Sequence, residues 1–247
     1  MKGILKRFYL KWIWVHAVVA ILVVFTASCK KEEQGGLSDV SGTLKDADGN
    51  VYKTIVIGNQ EWMAENLRTT RFSDGSPISS PGPDNRAWET NSTGAYSWYK
   101  NDEANFKEAY GALYNWHAVS SGKLCPAGWR VPADDDWTKL NRHLAADAGN
   151  KLKWSGSQHW QGNNSGATNE TGFNALPGGV RYSSLPGGSK ENREGYFYYL
   201  GKTGRWWTAT GHTLTEAWYR SVYSDQGGVY RSHNSKGTGF SVRCMRD

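Results

Sequence analysis

Three cysteines carry the thiol chemistry of this 247-residue chain: Cys29, Cys125 and Cys244. Cys125 lies in the stretch LCPAGWRVP, residues 124–132, beside a proline. A sulfur there could be a nucleophile, a metal ligand or half of a disulfide. A nucleophile needs a depressed pKa and a base beside it; His117 and Arg130 are near only in sequence. There is no Cys-x-x-Cys spacing, and if Cys29 carries a lipid the two remaining thiols are too few for a tetrahedral sulfur site. In an oxidising compartment thiols pair, and a Cys125–Cys244 bond would constrain the unfolded chain by roughly 5 kcal/mol on the loop-entropy account. The segment GFSVRCMRD fits a staple, because Phe240, Val242 and Cys244 alternate with Ser241, Arg243 and Met245. That period of two predicts a strand with the cysteine on its buried face.

The other reactive side chains fall into no catalytic pattern. His117, His143, His159, His212 and His233 are scattered, and neither G-x-S-x-G nor H-E-x-x-H occurs. Asp134, Asp135 and Asp136 are consecutive; on a helix they point to different sides, so they read as a helix start and not as an ion site. Asp46-Ala47-Asp48-Gly49 imitates the opening of a calcium loop, but the twelfth position is Ile57 instead of a bidentate Glu. GYFYYLGKTG has five residues between Gly195 and Gly201 where a phosphate loop has four, and reads as a strand and turn. No metal, cofactor or catalytic residue is therefore expected.

The remaining signal is aromatic and amide-rich. Flat rings stack on sugar C–H groups while amides and charged groups bond hydroxyls. Trp160, Asn163, Asn164, Trp218, Tyr219, Tyr223, Tyr230, Arg231 and Asn234 are the candidate ligand-binding residues on that ground. On strands about half of such aromatics face a core. Trp206 and Trp207 must point oppositely, so at least one is expected to be buried.

The elements that would position these residues begin after a leader. Lys2, Lys6, Arg7 and Lys11 precede an apolar run from Trp12 to Phe25, shorter than the ~20 residues of a membrane-spanning helix. Residues 1–28 read as a secretory signal. Thr26-Ala27-Ser28-Cys29 resembles a lipobox, with Thr26 in place of the usual leucine, and makes Cys29 the expected lipidation site. Lys30-Lys31-Glu32-Glu33 resembles the export tag of surface lipoproteins in the Bacteroidetes. The membrane partner would be reached through that lipid, placing the protein on the outer membrane, at the cell surface. Four basic and no acidic residues precede Cys29, leaving 25 Lys and Arg against 23 Asp and Glu. That balance gives no electrostatic case for nucleic acid.

Residues 29–42 read as a flexible tether and 43–247 as one domain. Asp48-Gly49-Asn50 and Gly58-Asn59 predict turns joining strands at Thr43–Lys45, Val51–Ile57 and Gln60–Met63. Trp137, Leu140, Leu144 and Ala145 share one face of a predicted helix, with Asp134 expected to cap it because Ala133 cannot. Residues 149–195 read as a long Gly/Asn/Ser loop. RWWTAT, AWYRSVYS and GVYRSHN predict three strands before the last one.

DADGNVYKTIVIGNQEWMAENLRT, YGALYNWHAV, LCPAGWRVPADDDWTKL, GFNALPGGVRY, WWTAT and GFSVRCMRD together resemble the Fibrobacter succinogenes major paralogous domain. The resemblance covers about residues 43–247. It implies an α+β fold of the C-type lectin-like group: twisted antiparallel strands, one or two helices and long loops. It also implies a secreted or lipid-anchored protein. The Glu-Pro-Asn, Gln-Pro-Asp and Trp-Asn-Asp motifs of calcium-dependent sugar-binding lectins are absent. Formylglycine-generating enzymes share the fold group but need two reactive cysteines, which here read as structural. The expectation is a non-catalytic surface module binding glycan or protein; the alternatives are a structural component of a surface organelle and, below that, an enzyme.

Overall fold

A computed structural model describes residues 40–184 and 196–247. The expected signal, Cys29, the charged run after it and the tether up to residue 39 lie outside the described residues. The tether ends earlier than expected, because the first strand starts at Val40 and not at Thr43.

Among the described residues, twelve strands and five α-helices follow in chain order. The opening meander is β1 (Val40–Lys45), β2 (Val51–Ile57) and β3 (Gln60–Met63). Then come α1 (Asn85–Glu89), β4 (Tyr96–Ser97), α2 (Glu103–Tyr110), β5 (Leu113–Tyr114), α3 (Trp116–Ser120) and β6 (Trp129–Arg130). Next are α4 (Asp134–Leu144), α5 (Ala148–Leu152), β7 (Gly178–Arg181) and β8 (Phe197–Leu200). The chain closes with β9 (Thr203–Gly211), β10 (Glu216–Tyr223), β11 (Tyr230–Ser235) and β12 (Met245–Arg246). All paired strands run antiparallel: a five-stranded sheet β1-β2-β3-β12-β6, a three-stranded sheet β11-β10-β9, and the pairs β4-β5 and β7-β8. The class is α+β, dominated by antiparallel strands. No helix among the described residues is long and apolar enough to cross a membrane.

The first turn is a carboxylate-wrapped loop and not an ion loop. Asp46 accepts from the backbone N–H groups of Asp48 (3.0 Å) and Asn50 (2.9 Å) and from the Tyr52 hydroxyl (2.5 Å). Its oxygens are thus spent on local donors, the usual use of Asp in turns.

The helix α4 lies where its periodicity put it, with Trp137, Leu140 and Leu144 buried. Ala145 departs from the expectation: it is exposed, at φ 57°, just past the last turn. The cap also differs. Ala133 is the N-cap residue, and its N–H donates to the Asp136 carboxylate at 2.8 Å, which is half of a capping box. Asp136 is held below the usual carboxylate range. Burial opposes this but is outweighed by the bonds from Arg130 and the Ala133 N–H. Asp135 pairs with Lys139 at 2.9 Å. Asp134 takes Arg220 at 2.8 Å and Arg231 at 2.7 Å. The three acids therefore share no partner: Asp134 holds two arginines, Asp135 a lysine and Asp136 the Arg130 guanidinium.

Two main cores flank the three-stranded sheet. Trp207 belongs to one, with Tyr52, Tyr114, Tyr219, Phe240 and Val242; Trp206 belongs to the other, with Trp62, Trp137, Trp160 and Phe173. The tandem tryptophans point oppositely, as strand geometry requires, and both are buried, because α4 covers the face that a one-sided sheet would leave wet.

The closing segment differs most from its expected form. A regular ladder forms only at Met245–Arg246. Yet every residue from Thr238 to Met245 is buried, on both faces. The extended chain threads between elements instead of lying on a sheet. The Met63, Leu67 and Tyr114 N–H groups donate to the carbonyls of Cys244, Val242 and Phe240, and Ser241 donates to Arg205. Cys244 bonds Cys125 across a sequence separation of 119, with Cα atoms 5.9 Å apart. The alternate face carries Arg243, which is 1 % exposed.

The long loop contains more structure than its composition suggested. Gly178–Arg181 forms β7 against β8, and α5 docks on the β10–β11 turn. There a Cβ on Gly149 would lie 2.3 Å from the Gly228 carbonyl, so no other residue fits. Lys153 is buried and donates to the carbonyls of Tyr223 (3.1 Å), Ser224 (3.4 Å) and Gln226 (3.1 Å) in the same turn; burial lowers its pKa. Irregular segments leave carbonyls without ladder partners, and buried cations collect them here. Arg181 does the same toward Gly82 at 2.8 Å.

Candidate functional site

The nine residues picked from the sequence do not form one surface. Trp160 is 3 % exposed and donates its indole N–H to the Ala175 carbonyl at 3.2 Å. Tyr219 is 6 % exposed and packs on Phe240, ring centres 4.6 Å apart. Both are core residues, which corrects their assignment to a ligand surface: the alternation of β10 turns Tyr219 inward, and Trp160 fills the space beneath its loop. Asn163 and Asn234 serve local turns, accepting from Ser165 at 3.1 Å and from Ser235 at 2.8 Å. Tyr223 and the exposed Tyr230 pair edge to face at 5.4 Å. The half-buried ring of Trp218 is already engaged, with the Arg231 guanidinium 3.3 Å from its centre and the His212 ring at 4.3 Å. A sugar would have to displace Arg231, which Asp134 holds.

Asn164 has a different part. It donates to the carbonyl of Trp154 at 3.0 Å and so fixes the backbone of a tryptophan that the sequence reading passed over. Trp154 lines a cleft of about 310 Å³ together with His159, Asn66, Glu65, Glu108 and Arg243. His159 lies edge to face with Trp154 at 4.9 Å, and its Nδ1 is 3.0 Å from the Tyr110 hydroxyl. Burial lowers the His159 pKa, favouring the neutral ring. Asn66 is held on several sides: its Oδ1 accepts from Trp206 Nε1 and Arg243 Nε, both at 2.9 Å, and its Nδ2 donates to the Tyr110 carbonyl at 2.8 Å. Burial pushes Arg243 down to about 9, so it stays charged at neutral pH. Glu65 and Glu108 share Arg68, at 3.0 Å and 3.6 Å. None of the lining residues carries a hydroxyl or thiol. The arrangement offers an indole, a neutral imidazole, two carboxylates, amides and the Lys53 amine: acceptors and donors for a polar ligand.

Elsewhere, two histidines read as scattered are neighbours. His212 and His233 have ring centres 4.2 Å apart, and with Glu216 they offer donor atoms all within 4.8 Å of one another.

The Fibrobacter succinogenes major domain matches residues 55–246. The chain belongs to that family. No curated protein and no solved structure matches it. In this Fibrobacter succinogenes major domain the matched span runs from within β2 to the last strand. It takes in the disulfide, the threaded closing segment and most of the cleft.

A stretch such as WSGSQHW offers two tryptophans and a histidine but no periodicity, so the sequence cannot say which ring is covered. Glu65, Asn66 and Glu108 escaped notice because they come from the β3 exit and α2, far in sequence from the loop they face.

Proposed function

We propose that the chain is a lipid-anchored protein of the outer-membrane surface whose domain is a non-catalytic binding module, taking a glycan in the cleft beside Trp154. Both described cysteines are consumed by the disulfide, which leaves formylglycine-type thiol chemistry without its reactants. Antiparallel strands, short helices and long side-chain-braced loops support placing the domain with the C-type lectin-like group. The observation that carries the reading is the cleft itself: an aromatic wall opposite carboxylates and amides, in a volume at the lower end of ligand pockets.

Screening the protein on a glycan array, then titrating the best hit by calorimetry, tests the site. Trp154→Ala should weaken binding by about tenfold or more, the scale of losing an aromatic stacking contact, and Trp218→Ala should leave it unchanged. No reproducible glycan, or equal loss in both variants, would count against the cleft. The anchor is tested separately: palmitate fed to cells should label the protein and fail to label Cys29→Ser.

A further inference from the structure

We propose that His212, Glu216 and His233 form a binding site for a divalent first-row transition metal ion, with Zn²⁺ the best fit to the donors. Strand register brings the three together. His212 follows directly on β9, and its N–H donates to the Glu216 carbonyl at 2.9 Å, so the two face each other across the mouth of the β9–β10 hairpin. On the other side of β10, Glu216 opposes Ser235 and Trp218 opposes His233. His233 is therefore the diagonal neighbour of Glu216 on the same face, within reach of long side chains. The result is a Glu flanked by a histidine from each adjoining strand.

The site is braced from several directions. Thr213 Oγ1 accepts from the Glu216 N–H at 3.0 Å, and Lys236 Nζ donates to the carbonyls of Thr213 (3.0 Å) and Leu214 (2.9 Å), which fixes the hairpin tip. The Trp218 ring supports both imidazoles, 4.3 Å from His212 and 5.3 Å from His233, and is itself clamped by Arg231. This is the use the structure gives to the Trp218–Arg231 pair that the sequence suggested for sugar stacking.

The donor spacing suits a small ion. Around tetrahedral Zn²⁺, bonds of about 2.0–2.1 Å set neighbouring N and O donors roughly 3.3 Å apart. His233 Nδ1 and Glu216 Oε2 are already 3.1 Å apart. The other separations reach at most 4.8 Å, and His212 is exposed, so a small rotation of its ring against Trp218 closes the remainder. Two imidazoles and one carboxylate favour Zn²⁺, Cu²⁺ or Ni²⁺ over Ca²⁺ and Mg²⁺, which prefer all-oxygen shells. Three protein donors leave a coordination position open toward solvent.

The test is a titration of the full, chelator-stripped chain, without a polyhistidine tag, with ZnCl₂. One ion per chain should bind, unaffected by excess Ca²⁺ or Mg²⁺. His212→Ala and His233→Ala should each weaken binding by at least about tenfold, and His143→Ala, on the exposed side of α4, should not. Electron paramagnetic resonance of the Cu²⁺-loaded wild type should show coupling to two imidazole nitrogens, a readout that needs no variant to fold. Absence of saturable binding, binding that survives in the His212→Ala/His233→Ala double variant, or coupling to fewer than two nitrogens would overturn the proposal.

Discussion

Replacing Cys125 and Cys244 together by alanine is expected to lower the unfolding free energy by about 4 kcal/mol, the loop-entropy value for a long closed loop less some relief in the folded state. The bond spans a sequence separation of 119, so its loss frees about half the domain in the unfolded ensemble. Against the 5–15 kcal/mol that holds typical domains together, roughly a quarter or more of the stability would go. Urea denaturation of the oxidised protein and the double variant, compared by midpoint, gives the number. Both residues are buried, at 5 % and 0 % exposure, so mild reductant should act slowly on the folded protein and fast once urea opens it. A loss below about 1 kcal/mol would mean that the closing segment stays docked by its hydrogen bonds alone, at the scale of one such bond.

Arg243→Met is expected to cost about as much, roughly 3–5 kcal/mol, the penalty for leaving buried polar partners uncompensated. Replacing a buried ion pair by apolar residues can be neutral when both partners are replaced. That escape is closed here, because the Arg243 guanidinium donates to main-chain carbonyls, Phe173 and, at 2.7 Å, Asn174. Substitution cannot remove those acceptors. The planar head also stacks on Phe173, 4.1 Å from the ring centre, and a thioether cannot do both. Arg243→Lys should recover only part of the loss, because one ammonium cannot span from Asn66 to Asn174. Denaturant midpoints for the two variants would show this order, Met worse than Lys. Equal midpoints would mean that charge and fork geometry are immaterial at this position.

Arg243 also shows where sequence reasoning stopped. Its alternation with Val242 and Cys244 places it on the face opposite them, and a charged residue on an outer face reads as solvated. Burial of that face depends on the aromatic cluster around Phe173 and Trp206, which assembles from segments far apart in the chain. Local chemistry was legible: Asp48-Gly49 and Gly58-Asn59 at their turns, the apolar stripe of α4, the three long strands, and the pairing of the only two cysteines in the described residues. What escaped was whatever depends on a second layer. Trp160 and Trp154 have the same composition around them, and only the packing of the loop on α5 and β8 separates core from cleft. His212 and His233 meet through the register of β10, which no spacing along the chain encodes. The loop after α5 lacks periodicity because side chains such as Asn164 and Asn174, and not ladders, satisfy its backbone.

The innermost segment of the domain, Gly239–Met245, is also nearly the last in chain order, while its partners Met63, Tyr114 and Arg205 are distributed through everything before it. A nascent chain therefore leaves the ribosome with each hairpin facing an empty slot. The first core cannot close, and the Cys125 thiol cannot find its mate, until residue 245 has cleared the exit tunnel. Such long-range closure delays folding to a single late step.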